Sequence, residues 1–226
     1  MRVIRVLAPN PGLLTLEGTN TWVVGDGPSL VVDPGPADDA HLAELVAVAT
    51  PGHSADHVAF HQPATHALFT GDAVLGRGTS VVDPPDGDLA QYLRSLRRMR
   101  ELAPRTIHPG HGPLVLRATA KLDDYLAHRA ERETQVLAAL GRRPMTPEDL
   151  VPEVYPGLDP AAQTFAARTM LAHLLKLQVE GVVEREGAAG PFRILPPHPC
   201  ERCGRPTRAR QRLCAACAVS SLQEPG

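Results

Sequence analysis

Three short segments each place a potential metal donor just after a glycine-containing turn: Thr50-Pro51-Gly52-His53, Thr70-Gly71-Asp72 and Pro109-Gly110-His111-Gly112. Each segment follows a run of β-forming residues. Glycine lets the chain turn sharply at the end of a strand, so the next side chain can point into a shared cleft. Imidazole and carboxylate together suit Zn²⁺ or a similar cation, which can bring the pKa of a bound water near neutrality. Any one of these loops is ordinary, because a histidine after a turn is usually a surface or hydrogen-bonded residue. The specific feature is their order, with an amphipathic helix between the second and the third.

A second set of donors lies near the other end of the sequence. All four cysteines fall in one stretch, as Cys200-Glu201-Arg202-Cys203 and Cys214-Ala215-Ala216-Cys217. Two such pairs supply four thiolates, enough to close a tetrahedral structural Zn²⁺ site. A secreted disulfide scaffold would spread its cysteines through the chain, and a redox pair would sit beside a βαβ pattern. The alternative is a tail with incidental thiols. Arg202, Arg205, Arg208, Arg210 and Arg212 make this stretch cationic. No aromatic residue is interleaved for base stacking, so a solvated charged loop is the commoner outcome.

The elements that must position these residues are legible from pattern. Thr21–Val24, Leu30–Asp33, Val46–Ala49, Val58–His61, Ala67–Thr70 and Arg105–His108 read as strands, and a short helix is expected over Asp38–Leu45. Residues Asp88–Leu102 form an amphipathic helix with Leu89, Tyr92, Leu93, Leu96 and Met99 on one stripe. A second long helical stretch covers Leu116–Leu140. After it, Thr146-Pro147-Glu148-Asp149 carries a cap, a proline at the first helical position and early acids. A further helix over about Pro160–Glu180 precedes a hairpin of Val182–Arg185 and Phe192–Leu195. The sequence of helix, helix and hairpin suggests a winged-helix unit, whose bland role is a cap that only packs on the main domain.

Composition narrows the function classes. A formal charge of −2 predicts no general attraction to nucleic acid or to anionic membranes. Met1–Val6 lacks a long apolar leader and no later apolar run approaches membrane-spanning length, so the cytoplasm is the expected compartment.

The segments PNPGLLTLEGTNTWVVG, LVVDPGP, TPGHSADHVAF, TGDAVLGRGT and PGHGP resemble the metallo-β-lactamase superfamily, and within it the beta-lactamase-like protein 2 group. The resemblance extends over nearly everything to about Leu195. It implies an α+β fold, the αβ/βα sandwich, in truncated form over residues 1–140. A winged-helix-like domain over 141–195 and a zinc-ribbon-like four-cysteine tail over 196–226 would follow. It also implies that His53 binds a first metal, that Asp72 bridges two metals as the central catalytic ligand, and that His111 binds the second. Asp33 would support the site from behind the ligands. His57 lies in the matched loop, where a structural, hydrogen-bonded role is the safer reading.

The superfamily's most diagnostic element is a His-x-His-x-Asp-His run between the Asp33-like and His53-like positions. No two of the ten histidines here are separated by a single residue. The segment is missing near residues 45–48, where a strand–helix–strand passage of roughly 30 residues would normally intervene. Its loss should leave a strand edge unpaired and apolar surface uncovered. The remaining donors give each of two metals about two side chains, below the usual three for catalytic zinc. His53, Asp72 and His111 converging on one ion is the alternative. The expected function is therefore metal-dependent hydrolysis of an ester, thioester, amide or phosphodiester bond, in a small molecule or RNA and without a membrane partner. One or two Zn²⁺ ions would act at the loops and one would be structural in the tail. The rival is a non-catalytic nucleic-acid or protein-binding chain held by its structural zinc.

Overall fold

A computed structural model of the chain describes residues 3–7, 11–13, 15–24, 30–32, 46–204 and 206–207. Asp33, the expected helix over 38–45, Cys214, Cys217 and Arg205, Arg208, Arg210 and Arg212 lie outside the described residues. The chain divides into two compact units, residues 1–131 and 132–226.

The first unit contains two sheets. Strands β1 (Val3–Leu7), β2 (Asn20–Val24) and β3 (Leu30–Val32) form an antiparallel meander in the order β1-β2-β3. The β1 strand has no counterpart among the sequence expectations. The second sheet has the order β4 (Val46–Ala49), β5 (Val58–Gln62), β6 (Ala67–Gly71) and β7 (Thr106–Pro109). β4 pairs with β5 and β5 with β6 antiparallel, whereas β6 and β7 are parallel. It follows that β4, β6 and β7 run in one direction and end at the same side of the sheet.

The parallel step needs a crossover, and helix α1 (Leu89–Glu101) supplies it. Asp88 caps α1 by accepting from the Gln91 amide at 2.9 Å. Leu89, Tyr92, Ser95, Leu96 and Met99 are its buried residues, and Arg94, Arg97, Arg98 and Arg100 stay exposed. Tyr92 and Leu96 are fully buried, as are Leu68 and Ile107 of the sheet. Behind them, Arg129 on helix α2 (Ala118–Leu140) is buried, donates to the Ser80 carbonyl and lies 5.5 Å from the Tyr92 ring centre. A buried guanidinium needs such partners to offset its desolvation.

Among the described residues β4 pairs only with β5, and Val46 and Val58 on the adjacent strand are 50% and 41% exposed. Among those residues, the other edge of β4 has no strand partner.

The division between the units falls within α2. Val136, Ala139 and Leu140 from its last turns join the core of the second unit. In that unit Thr146 and Asp149 form a complete capping box at the start of α3 (Pro147–Val154). Asp159 caps α4 (Pro160–Val179), and β8 (Val183–Arg185) pairs antiparallel with β9 (Phe192–Ile194). A bridge from Met145 to Phe192 adds a third short strand position. Met145, Leu150, Met170, Leu174, Leu177, Val183 and Phe192 close this core. Beyond it, β10 (His198–Pro199) pairs with β11 (Pro206–Thr207). None of the described helices is long and apolar enough to cross a membrane.

Candidate active site

The common direction of β4, β6 and β7 brings the three ligand-bearing loops to one edge. His53 follows β4, Asp72 follows β6 and His111 follows β7, while His57 stands just before the reversed strand β5.

The first loop is fastened to α1. Asp88 N–H donates to the Gly52 carbonyl at 2.9 Å, and Ser95 Oγ donates to the Pro51 carbonyl at 2.7 Å. Gly52 has φ +129°, and a Cβ there would come within 2.2 Å of the Tyr92 backbone nitrogen. Only glycine fits both the dihedral and the approach. His53 Nδ1 lies 2.8 Å from the Val81 carbonyl, which can only accept. Nδ1 therefore carries the proton in the neutral ring, and Nε2 keeps its lone pair.

The second loop is a tight turn. Ala73 N–H donates to the Thr70 carbonyl at 3.0 Å and Thr70 Oγ1 to the Val74 carbonyl at 2.8 Å. Gly71 has φ +47°, and its carbonyl accepts from Gly110 N–H at 2.8 Å, tying the second loop to the third.

The third loop is held by β2. Asn20 Nδ2 donates to the Pro109 carbonyl at 3.0 Å and to the Gly112 carbonyl at 2.9 Å, and Trp22 Nε1 donates to Pro109 at 2.9 Å. His111 Nδ1 lies 3.1 Å from the Gly18 carbonyl, so this ring too keeps Nε2 available. That nitrogen lies 3.2 Å from Asp72 Oδ1. Asn20 and Trp22 were not singled out from sequence. Their signal was an amide and an indole two residues apart on a strand, which places both on one face.

His57 is occupied differently. Its Nδ1 lies 2.8 Å from Thr50 Oγ1, and the ring also bonds to the Thr70 backbone. Burial, and then the charge of His53, hold its pKa below the ordinary histidine value against the opposing pull of Asp72. With both sides engaged, His57 joins the first loop to the second and is not placed as a metal ligand.

His53, His57 and Asp72 line a cavity of about 350 Å³ whose other walls include Trp22, Phe60, Phe69 and His108. His108 is stacked 4.7 Å from Phe69 and meets Trp22 edge-on at the same distance. Burial pushes its pKa down to about 4, so it is neutral at physiological pH.

The donor set fits a borderline divalent cation in kind: two imidazoles with carbonyl-held Nδ1 atoms and one carboxylate. In number it falls short. Among the described residues no three His, Cys, Asp or Glu side chains group closely enough to hold an ion. Asp72 and His111 are brought together, and His53 lines a cavity with Asp72 without joining the pair in a three-donor group.

A mixed sheet with donor loops on one edge, followed by a helix–helix–hairpin unit, defines the class. Residues 37–111 match the metallo-beta-lactamase superfamily and residues 146–190 match the beta-lactamase associated winged helix domain. The chain carries a metallo-beta-lactamase superfamily domain followed by that winged helix domain, in an α+β fold.

Within that class it is 37% identical over 143 residues to a beta-lactamase-like protein 2 homolog from Caenorhabditis elegans, covering 63% of this chain and 47% of that protein. The chain therefore spans about half the length of this relative. A beta-lactamase domain protein from Burkholderia ambifaria has a similar structure, with a TM-score of 0.61 and 30% identity over 67% of this chain and 48% of that one. An atrochrysone carboxyl ACP thioesterase from Claviceps purpurea is 27% identical, covering 77% of this chain and 79% of that protein. That alignment runs over 249 residues, more than the 226 of this whole chain, so part of the relative has no counterpart here.

Proposed function

We propose that this chain is a metallo-β-lactamase-type hydrolase retaining the later half of its site, in His53, Asp72 and His111, and that the half-site holds one divalent ion. Bound there, the ion would supply an activated water and a Lewis acid for attack on an ester, thioester, amide or phosphodiester bond. The observation that carries this reading is the convergence of three donor loops on one sheet edge, with Asp72 Oδ1 3.2 Å from His111 Nε2.

The chain's own residues do the rest. The Val81 and Gly18 carbonyls fix which nitrogen of each imidazole is free. His57 pins the first loop to the second, and the aromatic walls leave room for a small acyl or aryl group. Turnover is slow, because fewer than three side chains meet at one point and catalytic zinc normally has three. The thioesterase name of the Claviceps purpurea relative makes a thioester the first substrate to try, and RNA the next.

The same shortfall of donors favours the second reading, a non-catalytic binding chain. Titration of the metal-depleted full chain with Zn²⁺, beside the Asp72→Ala variant, separates the two. The hydrolase reading expects one equivalent that Asp72→Ala loses, together with hydrolysis of a chromogenic thioester that stops on chelation and in that variant. Equal zinc uptake by a folded Asp72→Ala chain, with no chelator-sensitive turnover in either, would leave the binding reading.

A further inference from the structure

The segment from Asp72 to Gly76 is held by side chains from three directions. Ser80 Oγ lies 2.5 Å from the Asp72 carbonyl and 3.0 Å from that of Ala73, so its one proton is shared between them. Tyr92 Oη, from α1, donates to the Ala73 carbonyl at 2.6 Å, and Tyr125 Oη, from α2, accepts from Leu75 N–H at 2.9 Å. Gly76 N–H then donates to the His111 carbonyl at 2.9 Å, joining the segment to the third loop. Burial holds both phenols above the ordinary tyrosine range, so each keeps its proton. None of these bonds engages the Asp72 carboxylate. They hold the main chain that bears it, and Asp72 Oδ1 is left to pair with His111 Nε2.

Arg129 completes the arrangement. One helical turn after Tyr125 on α2, it donates from Nη2 to the Ser80 carbonyl, and so fixes the residue whose hydroxyl fixes Asp72. The side chain is 2% exposed, and its Nε has no hydrogen-bond partner among the described residues. Its partners are a carbonyl and the face of the Tyr92 ring, both neutral. A buried cation without a counter-charge is costly, and a neutral side chain of similar volume would pack at least as well. Packing alone therefore does not account for a guanidinium at this position. A charge-assisted bond to the Ser80 segment, stronger than a neutral one, does.

We propose that Ser80 and Arg129 are positioning residues of the loop site: through the Asp72 backbone they set where its carboxylate stands against His111 Nε2, and with it the affinity and coordination geometry of a divalent ion held there. The inference rests on the reading of this cleft as an ion site and adds the residues that tune it. The test uses the full chain, depleted of metal and titrated with Co²⁺, and takes as the loop ion the equivalent that Asp72→Ala abolishes. Ser80→Ala should bind that ion at least about ten-fold more weakly, as loss of a residue supporting a metal ligand generally does, and should displace its cobalt d–d bands. Ser80→Thr, which keeps the hydroxyl, should return both toward the wild-type values. Arg129→Gln should weaken binding in the same direction as Ser80→Ala. In the metal-free chain, amide exchange at residues 73–76 should quicken in Ser80→Ala while exchange within α2 is unchanged, which shows that the variant is folded. Wild-type affinity and unmoved bands in Ser80→Ala, beside an Asp72→Ala chain that lacks the loop ion, would overturn the positioning role and leave the ion site standing. Equal Co²⁺ uptake by the wild-type and Asp72→Ala chains would remove the ion site and this inference together.

Discussion

The loop cleft collects its donors from three strand ends between His53 and His111, and every one of those loops is fastened by bonds to neighbouring elements. The cysteine turn collects two donors within four residues and is fastened by a two-residue ladder and one backbone bond. In the cleft, bonds to neighbouring elements hold each donor in place without an ion. In the turn, little beyond the local backbone holds them. The difference shows at two glycines, both with positive φ. A Cβ at Gly52 would collide with the Tyr92 backbone, whereas at Gly204 nothing lies within 4 Å.

That contrast can be broken at several points. The largest effect is expected at Gly52→Ala, where a strained dihedral and a backbone clash combine. Urea denaturation should show a loss of at least about 3 kcal/mol, and a loss below about 1 kcal/mol would mean that the loop is not fastened as described. Acid comes next. His108 is held near 4 in the folded chain against an ordinary 6.5, so below 6.5 the unfolded chain takes up a proton that the folded chain refuses. Its contribution is intact above pH 6.5 and erodes as pH falls toward 4, by up to about 3 kcal/mol. His57 and His61, also shifted down, add in the same direction. His108→Phe should flatten the fall in stability between pH 7 and 4.5, and an unchanged slope would remove His108 as its source.

Asn20→Ala should cost about 2 kcal/mol, because it strips two carbonyls of the His111 loop of their donor. Zinc affinity at the loops should weaken with it, which calorimetry on the variant would show. The smallest effect is expected at Gly204→Ala, about 1 kcal/mol for the left-handed dihedral alone. It should appear as faster amide exchange in the Cys200–Gly204 turn with no change in the denaturation of the rest. If Gly204→Ala proves as costly as Gly52→Ala, the two regions are not built differently.

Much of this architecture was readable in advance, for identifiable reasons. The short apolar runs Val58–His61 and Ala67–Thr70, bounded by turn residues, and the helical stripe of Leu89, Tyr92, Leu96 and Met99 report burial, and burial sets pattern. The Thr146 cap and Pro147 marked the start of α3 to the residue. β1 was not legible, because Val3–Leu7 is a short run with Arg5 in its middle and pairs only through the meander. In the site, glycine turns announced the three loops, yet nothing local announced Asn20 and Trp22. Their role is to reach carbonyls some ninety residues away, a long-range relation that no periodicity encodes. The separation of His53 from the Asp72–His111 pair was equally invisible, because ligand count is written in sequence and ligand convergence is not.

The open edge of β4 also bears on how the protein behaves in company. Val46-Ala47-Val48-Ala49 contains neither charge nor proline, the usual guards against strand-to-strand growth. The neighbouring Arg98 reaches the Ala49 carbonyl at 3.3 Å, placing one charge at the far end of the strand. Among the described residues, a single arginine thus stands beside four apolar residues at this edge, and Arg98→Ala is expected to raise concentration-dependent self-association, which sedimentation of the variant beside the wild type would show.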